Sequence, residues 1–382
     1  SLVGSEMCIR DSYTASVFAA CGKLFSSLFG VKYLTAMIIS AIVIVAYTTL
    51  GGFLAASTTD FIQSIIMSVA LIVVLIFGVE TAGGIGAVIH NASELPGYLS
   101  MTLSYDVNTG KAAPYSALTI VSTAAWGLGY FGMPHILLRF MAIEDEKKLK
   151  LSRRVATIWV VISLFVAVFI GVIGYTMSKV GALEMLTGSN SETIIVKISA
   201  LLSQHGVIFA LLAGVILAGI LASTMSTSDS QLLAASSAVS SDILGAFRKD
   251  SSNKNGSMAA ARITLLVISV VAAFIARNPD SSVFAIVSFA WAGFGAAFGP
   301  VVLFSLFWKR TNKWGALAGM VCGGSMVFIW KYLIRPLGGI WNIYELLPAF
   351  LIACAAIVIV SLLTPKPSKE IEEEFDRVAQ MK

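Results

Sequence analysis

Long blocks of apolar residues, separated by short polar stretches, form the dominant pattern along this chain. Nine blocks reach roughly 20 residues, the length that an α-helix needs to cross about 30 Å of hydrocarbon. The blocks are Tyr33–Ala55, Phe61–Glu80, Tyr115–Arg139, Val155–Met177, Val207–Ser230, Ala259–Ala276, Val283–Trp308, Trp314–Leu333 and Tyr344–Leu363. The pattern therefore predicts an all-α integral membrane protein with about nine transmembrane helices.

The first twelve residues, SLVGSEMCIRDS, differ from this pattern. They contain neither an apolar signal core nor a helical periodicity, and membrane-like sequence begins abruptly at Tyr13. Such a start is typical of translated adapter sequence joined to a truncated gene, so we expect residues 1–12 to be non-native and the natural protein to be longer. Residues 13–364 are then predicted to form the membrane domain, opening with the stub of a helix, and residues 365–382 a hydrophilic tail.

Glycine and proline cluster inside the third and seventh blocks, and the pair Gly51-Gly52 lies near the end of the first. The clusters comprise Gly127, Gly129, Gly132 and Pro134 in the third block, and Gly293, Gly295, Gly299 and Pro300 in the seventh. Clusters of this kind either let helices pack closely or break a helix so that its backbone lines a cavity. The sequence leaves both alternatives open.

The fifth block becomes polar without ending. Within the stretch Leu211–Ser241, eight polar side chains crowd into nine residues: Ser223, Thr224, Ser226, Thr227, Ser228, Asp229, Ser230 and Gln231. Hydroxyl groups, together with carbonyls freed by an interrupted helix, are hard oxygen ligands that suit a small cation. The alternative is that each hydroxyl bonds a carbonyl of its own helix or allows close helix packing. The density of polar groups at membrane depth favours an ion site.

The composition excludes a water-soluble globular domain. Of the 382 residues, 57% are hydrophobic and 12% are charged, whereas soluble domains carry about 25% charged residues. Basic residues concentrate in the loops after blocks three, five, seven and nine: Lys147, Lys148, Lys150, Arg153, Arg154, Arg248, Lys249, Lys254, Arg262, Lys309, Arg310, Lys313, Lys366, Lys369, Arg377 and Lys382. These are alternate loops along the chain. Because cytoplasmic loops are enriched in Lys and Arg, the concentration of basic residues in every second loop predicts a cytoplasmic C-terminus. The net charge of +5 is read as an orientation signal, so no nucleic-acid partner is expected.

Signatures of enzyme chemistry are missing from the sequence. It contains no GxSxG, HExxH or Walker loop and no GxGxxG that follows a strand. The four cysteines show no metal-ligand spacing. We therefore expect neither an enzyme nor a bound cofactor.

The third block, which reads TAAWGLGYFGMPHILLRFM in its second half, carries an aromatic pattern. Trp126, Tyr130 and Pro134 recur at a spacing of four, so on an α-helix they fall along one stripe beside the glycines. An aromatic stripe next to missing side chains can form an apolar slot for a small ring or chain, with the Tyr130 hydroxyl as a polar handle. The alternative is ordinary packing or an interfacial aromatic belt.

One carboxylate, that of Asp60, follows Ser57, Thr58 and Thr59 between the first two blocks. This run of short polar residues predicts the N-cap of the second helix. Lying on the predicted cytoplasmic side, the same carboxylate could also complete or guard a cation pathway from the polar cluster. The spacing leaves both interpretations open.

Four long runs of this sequence resemble one family. They are YTTLGGFLAASTTDFIQ, AAWGLGYFGMPHILLRFMA, ILASTMSTSDSQLLAASSAVSSDI and SFAWAGFGAAFGPVVLFSLFWKRTNKWGALAGM. In this order they resemble the sodium/solute symporter family, and within it the bacterial sodium/proline symporters, from Tyr13 to the C-terminal region. The resemblance implies a leucine-transporter-like fold of two inverted repeats, with sites at the midplane beside broken helices. It also implies that the first four family helices are missing from this chain.

The resemblance further implies roles for individual residues. It places the sodium-coordinating hydroxyls on Ser226 and Thr227, a backbone sodium ligand on Ser223, and the acidic residue of the sodium path on Asp60. It places the contacts with proline on Trp126, Tyr130 and Pro134. Met133 departs from the pattern, since close relatives carry glutamine there, and this departure makes the identity of the solute less secure.

The function implied by the resemblance is secondary active transport. Sodium, entering down its gradient as a co-transported ligand, drives uptake of L-proline across the bacterial cytoplasmic (inner) membrane by a multi-pass protein held in the lipid bilayer. One alternative is symport of another small solute, such as a different amino acid, a monocarboxylate or pantothenate. A second alternative, from a different class, is a transporter-like membrane sensor.

Overall fold

The structure is a computed structural model that describes residues 2–106, 109–141, 143–237, 254–278 and 282–380. Among the predicted terminal and loop residues, Ser1, Arg248, Lys249 and Lys382 lie outside these ranges. The α-helices are α1 (Leu2–Phe29), α2 (Tyr33–Thr81), α3 (Ile85–Ser93), α4 (Ala117–Ala124), α5 (Pro134–Met141), α6 (Leu149–Lys179), α7 (Ile194–Ser203), α8 (Val207–Ser237), α9 (Lys254–Ile275), α10 (Val283–Phe307), α11 (Lys313–Ile329), α12 (Leu346–Leu363) and α13 (Lys369–Gln380). The prediction of an all-α fold is confirmed in outline.

Shorter elements connect these helices. A π-helical turn, Trp330–Ile334, continues α11, and the 3-10 segments are Ala125–Gly132, Glu146–Lys148, Gly188–Thr193, Arg335–Leu337 and Gly339–Trp341. Two four-residue strands, β1 (Leu103–Asp106) and β2 (Lys111–Pro114), form an antiparallel hairpin in which Leu103 lies opposite Pro114 and Asp106 opposite Lys111. The sequence pattern missed this hairpin, because four residues are too few to give a clear alternation of polar and apolar positions.

Six helices in the described part of the chain are long and apolar enough to cross a membrane. They are Ser57–Thr81, Glu146–Lys179, Val207–Leu232, Val283–Phe307, Lys313–Leu337 and Leu346–Leu363, and three shorter apolar helices are Thr14–Phe29, Tyr33–Ala46 and Arg262–Ile275. Eight of the nine predicted blocks therefore coincide with an apolar helix. The side chains on their outer faces include Phe165 and Val168 of α6, both about 70% exposed, as expected of a surface that faces lipid.

The third block is the exception, and its prediction as a single span is wrong. It is divided into α4, the 3-10 segment Ala125–Gly132 and α5, with Met133 in an extended conformation before Pro134. Pro134 cannot donate a backbone hydrogen bond, and the glycines before it favour irregular backbone over a regular helix. The helix-weakening cluster therefore does break the helix here.

Blocks one and two, predicted as separate helices, are joined in α2, which runs over 49 residues. Ile44 in its first half lines a cavity with Leu221 of α8, while Ala70 in its second half lies against Gly219 of α8. A straight helix would separate Ile44 from Ala70 by about 39 Å. Since both lie near the same short stretch of α8, α2 bends between Ile44 and Ala70.

The chain divides into two compact units. The smaller unit comprises Ser1–Arg10, Ser116–Ala142 and Val287–Lys382, and the larger unit comprises Asp11–Tyr115 and Ile143–Ile286. The core of the larger unit is built from buried side chains of α2, α6, α7 and α8, including Val74, Ile173, Ile198, Leu202 and Ile216. In the smaller unit, α11 packs closely on α12 through glycine, since a Cβ at Gly319 would lie 2.4 Å from Ile357.

A carboxylate that lies between apolar helices of the larger unit, that of Glu192, joins its own 3-10 segment to α1 and to the start of α10. Glu192 accepts hydrogen bonds from Lys23 Nζ and Ser282 Oγ, each at 2.8 Å, and from the amides of Val283 and Phe284 at 3.2 and 3.3 Å. Burial alone raises the pKa of this carboxyl, but the hydrogen bonds from Lys23, Ser282 and the two amides outweigh it and lower the pKa below its usual value. Glu192 thereby caps the first turn of α10.

Candidate functional site

The three predicted sodium ligands converge on one point of α8. Ser226 Oγ and Thr227 Oγ1 each donate a hydrogen bond to the backbone carbonyl oxygen of Ser223 at 3.1 Å. Their spacing of three and four residues after Ser223 produces this convergence, because these positions lie one turn along the same helix face. Two hydroxyl oxygens and one carbonyl oxygen thus meet within a single helical turn.

The polar cluster does not interrupt its helix. α8 runs from Val207 to Ser237 without a break. The hydroxyls of Ser226 and Thr227 are satisfied by a carbonyl of their own helix, and the pattern extends upstream, where Ser223 Oγ and Thr224 Oγ1 donate to Ile220 O at 2.9 and 2.8 Å. Because these bonds satisfy the hydroxyls at no cost to the backbone ladder, the helix needs no break to accommodate the polar cluster.

Ser228 extends the polar cluster into the protein interior. Its side chain is fully buried, and its hydroxyl has no hydrogen-bond partner among the described residues. A buried hydroxyl next to Thr227 shows that the polar cluster faces inward at this level of α8.

Asp60 lies inside α2 and not at the start of a helix, so its predicted role as an N-cap is wrong. Asp60 is partly buried, whereas Ser57, Thr58 and Thr59 just before it are exposed. The second half of α2 is in direct contact with α8, since Met67 and Ser223 line the same small cavity. The structure therefore places Asp60 and the converging oxygens on two helices that pack together in the larger unit.

Four aromatic side chains of the smaller unit lie together, and we call them the aromatic cluster: Trp126, Tyr130, Trp291 and Tyr344. Trp126 stacks with Trp291 at 5.4 Å between ring centroids and with Tyr344 at 5.9 Å. Tyr130 meets Trp291 edge-on at 4.8 Å. These distances lie in the range of favourable aromatic pairs.

The single stripe predicted for Trp126, Tyr130 and Pro134 is wrong. In a 3-10 segment, with three residues per turn, positions four apart are rotated by about a third of a turn. Trp126 and Tyr130 are brought together by Trp291, which contacts both, and Pro134 lies beyond the 3-10 segment at the start of α5. Met133 between them is fully buried.

Glycines allow the 3-10 segment to lie directly against α10. A Cβ at Gly129 would lie 1.9 Å from Trp291 Nε1, and a Cβ at Gly132 would lie 2.3 Å from the carbonyl oxygen of Phe294. The indole Nε1 of Trp291 donates to Trp126 O at 2.9 Å. Close approach and a broken helix, the two alternatives left open by the sequence, therefore occur together here.

Sequence reasoning missed Trp291 and Tyr344. Trp291 could have been identified from the sequence, because the run WAGFGAAFGP in α10 has the same order of tryptophan, glycine and proline as the run WGLGYFGMP in the third block. Tyr344 had no comparable signal, since it lies alone before α12. Its phenol hydroxyl donates to Ser288 O at 2.6 Å.

These features define a class of protein: a multi-pass helical membrane protein with an oxygen-lined helix turn in one unit and an aromatic cluster beside broken backbone in the other. The fold is that of a solved Na+-coupled sialic acid symporter in its substrate-bound outward-open state, with a TM-score of 0.73, 17% sequence identity, and coverage of 96% of this chain and 75% of that one. A model of the sodium:solute symporter family matches residues 5–323. The chain belongs to the sodium:solute symporter family.

Characterised relatives are similar along nearly the whole chain. The osmoregulated proline transporter OpuE of Bacillus subtilis is 38% identical over 94% of this chain and 69% of its own length. The sodium/proline symporter of Haemophilus influenzae is 40% identical over 96% of this chain and 71% of its own length. The high-affinity proline transporter PutP of Bacillus subtilis is 38% identical over 95% of this chain and 72% of its own length.

Proposed function

We propose that the protein is a secondary active transporter that couples inward sodium flow to uptake of L-proline. The observation that carries this proposal is the 38–40% identity to proline transporters and sodium/proline symporters over at least 94% of the chain. Entry of one sodium charge is worth about 2.3 kcal/mol per 100 mV. That energy concentrates a solute about 50-fold before any sodium gradient is counted.

Sodium binds, in this proposal, at the converging oxygens of α8. Ser226 and Thr227 each offer hydroxyl lone pairs, and the carbonyl of Ser223 offers a third oxygen within hydrogen-bond distance of both. Neutral hard oxygens suit a small cation that must also be released. Asp60 lies on α2, which packs against the same stretch of α8, and supplies the negative charge of the release path.

The solute binds beside the aromatic cluster. Tyr130 is 46% exposed, and a Cβ added at Gly127 would meet nothing within 4 Å, so open space adjoins the rings. A pyrrolidine ring offers apolar carbons to such rings, and the Tyr130 hydroxyl supplies a polar contact. Pro134, by interrupting the helix, leaves backbone groups nearby that can bind the solute's charged ends.

The protein lies, by this account, in a bacterial cytoplasmic membrane with its C-terminus in the cytoplasm. The relatives are bacterial, and the outer faces of the helices are apolar. Basic residues follow the end of the third block, in the segment Glu146–Lys148 and in the first turns of α6. Lys and Arg are retained on the cytoplasmic side of multi-pass proteins.

The test is uptake of labelled proline by cells or vesicles that contain the full-length protein. Uptake is expected to require an inward sodium gradient and to collapse with a sodium ionophore. Excess unlabelled proline should compete best within a panel of other amino acids, a monocarboxylate and pantothenate. Better competition by another panel member would reassign the solute, and saturable proline binding without any uptake would favour the sensor alternative.

A further inference from the structure

Tyr344 is held by three separate elements of the smaller unit. Its ring stacks on Trp126 of the 3-10 segment at 5.9 Å. Its hydroxyl donates to Ser288 O of α10 at 2.6 Å, and its backbone N–H donates to Ser122 Oγ of α4 at 2.7 Å. A side chain fixed at both ends has little rotational freedom, so its ring is a rigid surface for the indole that lies on it.

An ion pair anchors the segment that carries Tyr344. The neighbouring Glu345 is only 1% exposed, and it accepts a hydrogen bond from Arg335 Nη1 at 2.8 Å, while Lys331 Nζ lies 3.9 Å away. Arg335 Nε also donates to Asn342 Oδ1 at 3.1 Å. Because a buried carboxylate is costly without a partner, these contacts hold the segment in one conformation.

Trp126 therefore has two supports with different roles. Trp291 donates to the backbone carbonyl of Trp126 and abuts Gly129, so it fixes the main chain of the 3-10 segment. Tyr344 contacts the indole, on whose ring Trp291 also stacks. The backbone remains in place when Tyr344 is shortened, but the indole then loses one of the two rings that set its orientation.

We propose that Tyr344, anchored through Glu345 and Arg335, is a positioning residue that orients the Trp126 indole for solute binding. The inference rests on the proposed function, which places the solute beside Trp126. The segment before α12 thereby affects the affinity for the solute indirectly, because Tyr344 acts through Trp126. Loss of an aromatic pair corresponds to a change in affinity of about twofold to tenfold.

The experiment compares Tyr344→Leu, Tyr344→Phe and Tyr332→Leu in the full-length protein, each normalised to the amount of transporter in the membrane. Tyr344→Leu should raise the KM for proline about twofold to tenfold with little change in the maximal rate. Tyr344→Phe keeps the stacked ring but loses the bond to Ser288 O, so its KM should lie between those of wild type and Tyr344→Leu. Tyr332→Leu is the matched control, since Tyr332 is exposed and contacts Phe289, which is not part of the aromatic cluster.

A double variant separates positioning from general packing. In a Trp126→Leu background, Tyr344→Leu should add no further increase in KM, because the indole on which it acts is gone. An undiminished further increase, or a wild-type KM for Tyr344→Leu alone, would overturn the inference. So would a Tyr344→Phe variant as impaired as Tyr344→Leu.

Near-ultraviolet circular dichroism of the purified protein gives a readout that needs no transport. Stacked, ordered indoles contribute to this signal, so Tyr344→Leu should reduce it and Tyr332→Leu should not. A wild-type protein that takes up no proline would refute the proposed solute. The dichroism would then decide the positioning role by itself: a reduced signal supports it and an unchanged signal refutes it.

Discussion

The polar turn of α8 and the aromatic cluster, which are the two proposed binding sites, are built in opposite ways. At Ser223, Ser226 and Thr227 the backbone is a regular helix, and the chemistry comes from side chains that bond to their own helix. In the aromatic cluster the backbone is broken, and the contacts join residues as far apart as Trp126 and Tyr344. The polar turn is thus local and independent of other elements, whereas the aromatic cluster depends on close packing between several of them.

The substitution Gly129→Val should have the largest effect on this difference between the two regions. A Cβ at Gly129 would lie 1.9 Å from Trp291 Nε1, so the 3-10 segment must move away from α10, at a cost of about 3 kcal/mol or more. The amount of folded protein in membranes and its melting temperature should fall sharply. Gly171→Ala in α6 is the control, because a Cβ there meets nothing within 4 Å. Equal stability of the two variants would contradict the packing described for the aromatic cluster.

The ion pair between Arg335 and Glu345, which anchors the segment that carries Tyr344, should give the next largest effect on stability. Glu345→Ala leaves Arg335 without its buried partner and should cost about 2 kcal/mol of unfolding free energy. Glu184→Ala removes a carboxylate that pairs with Lys197 at 2.7 Å but is 65% exposed, and this change should cost no more than about 1 kcal/mol. Thermal unfolding of both variants in detergent makes the comparison. A larger loss for Glu184→Ala would show that the anchor is dispensable.

The smallest effect concerns pH and Glu192 in the larger unit. The pKa of Glu192 is lowered in the folded protein, so its contribution is present above the unfolded pKa of about 4.3 and is lost as the pH falls through the lower folded value. Glu192→Gln should lower stability near neutral pH by about 1 kcal/mol and should flatten the decline in acid. Melting temperatures from neutral to acidic pH, with Glu373→Gln on exposed α13 as control, measure this. A decline as steep in Glu192→Gln as in wild type would assign the acid sensitivity to other groups.

The two regions also differ in how far the sequence predicts them. Ser223, Ser226 and Thr227 lie within five positions of one helix, so their spacing alone brings their oxygens together once α8 is recognised as helical. The helix continues through the polar turn, because the hydroxyls of Ser226 and Thr227 bond to a carbonyl of the same helix, which is one of the two alternatives that the sequence left open. Propensity and spacing describe such local structure well.

The aromatic cluster was predicted only in part. Trp126 and Tyr130 were identified, but their common contact, Trp291, lies 165 residues after Trp126, and no local pattern reports a contact at that separation. Similarly, the turn expected before Asp60 is absent, because α2 continues as one helix from Tyr33 to Thr81. Long apolar spans were predictable since hydrocarbon thickness fixes their length, whereas contacts between spans depend on tertiary packing.

The central claim is that sodium is held by the hydroxyls of α8, and the most direct test is the apparent sodium affinity of proline uptake. We compare the double variant Ser226→Ala, Thr227→Ala with Ser163→Ala, whose hydroxyl makes the same type of bond within α6, to Trp159 O at 2.7 Å. The double variant should need at least about tenfold more sodium for half-maximal uptake, and Ser163→Ala should match wild type. Proline uptake by the double variant with unchanged sodium affinity would contradict the assignment.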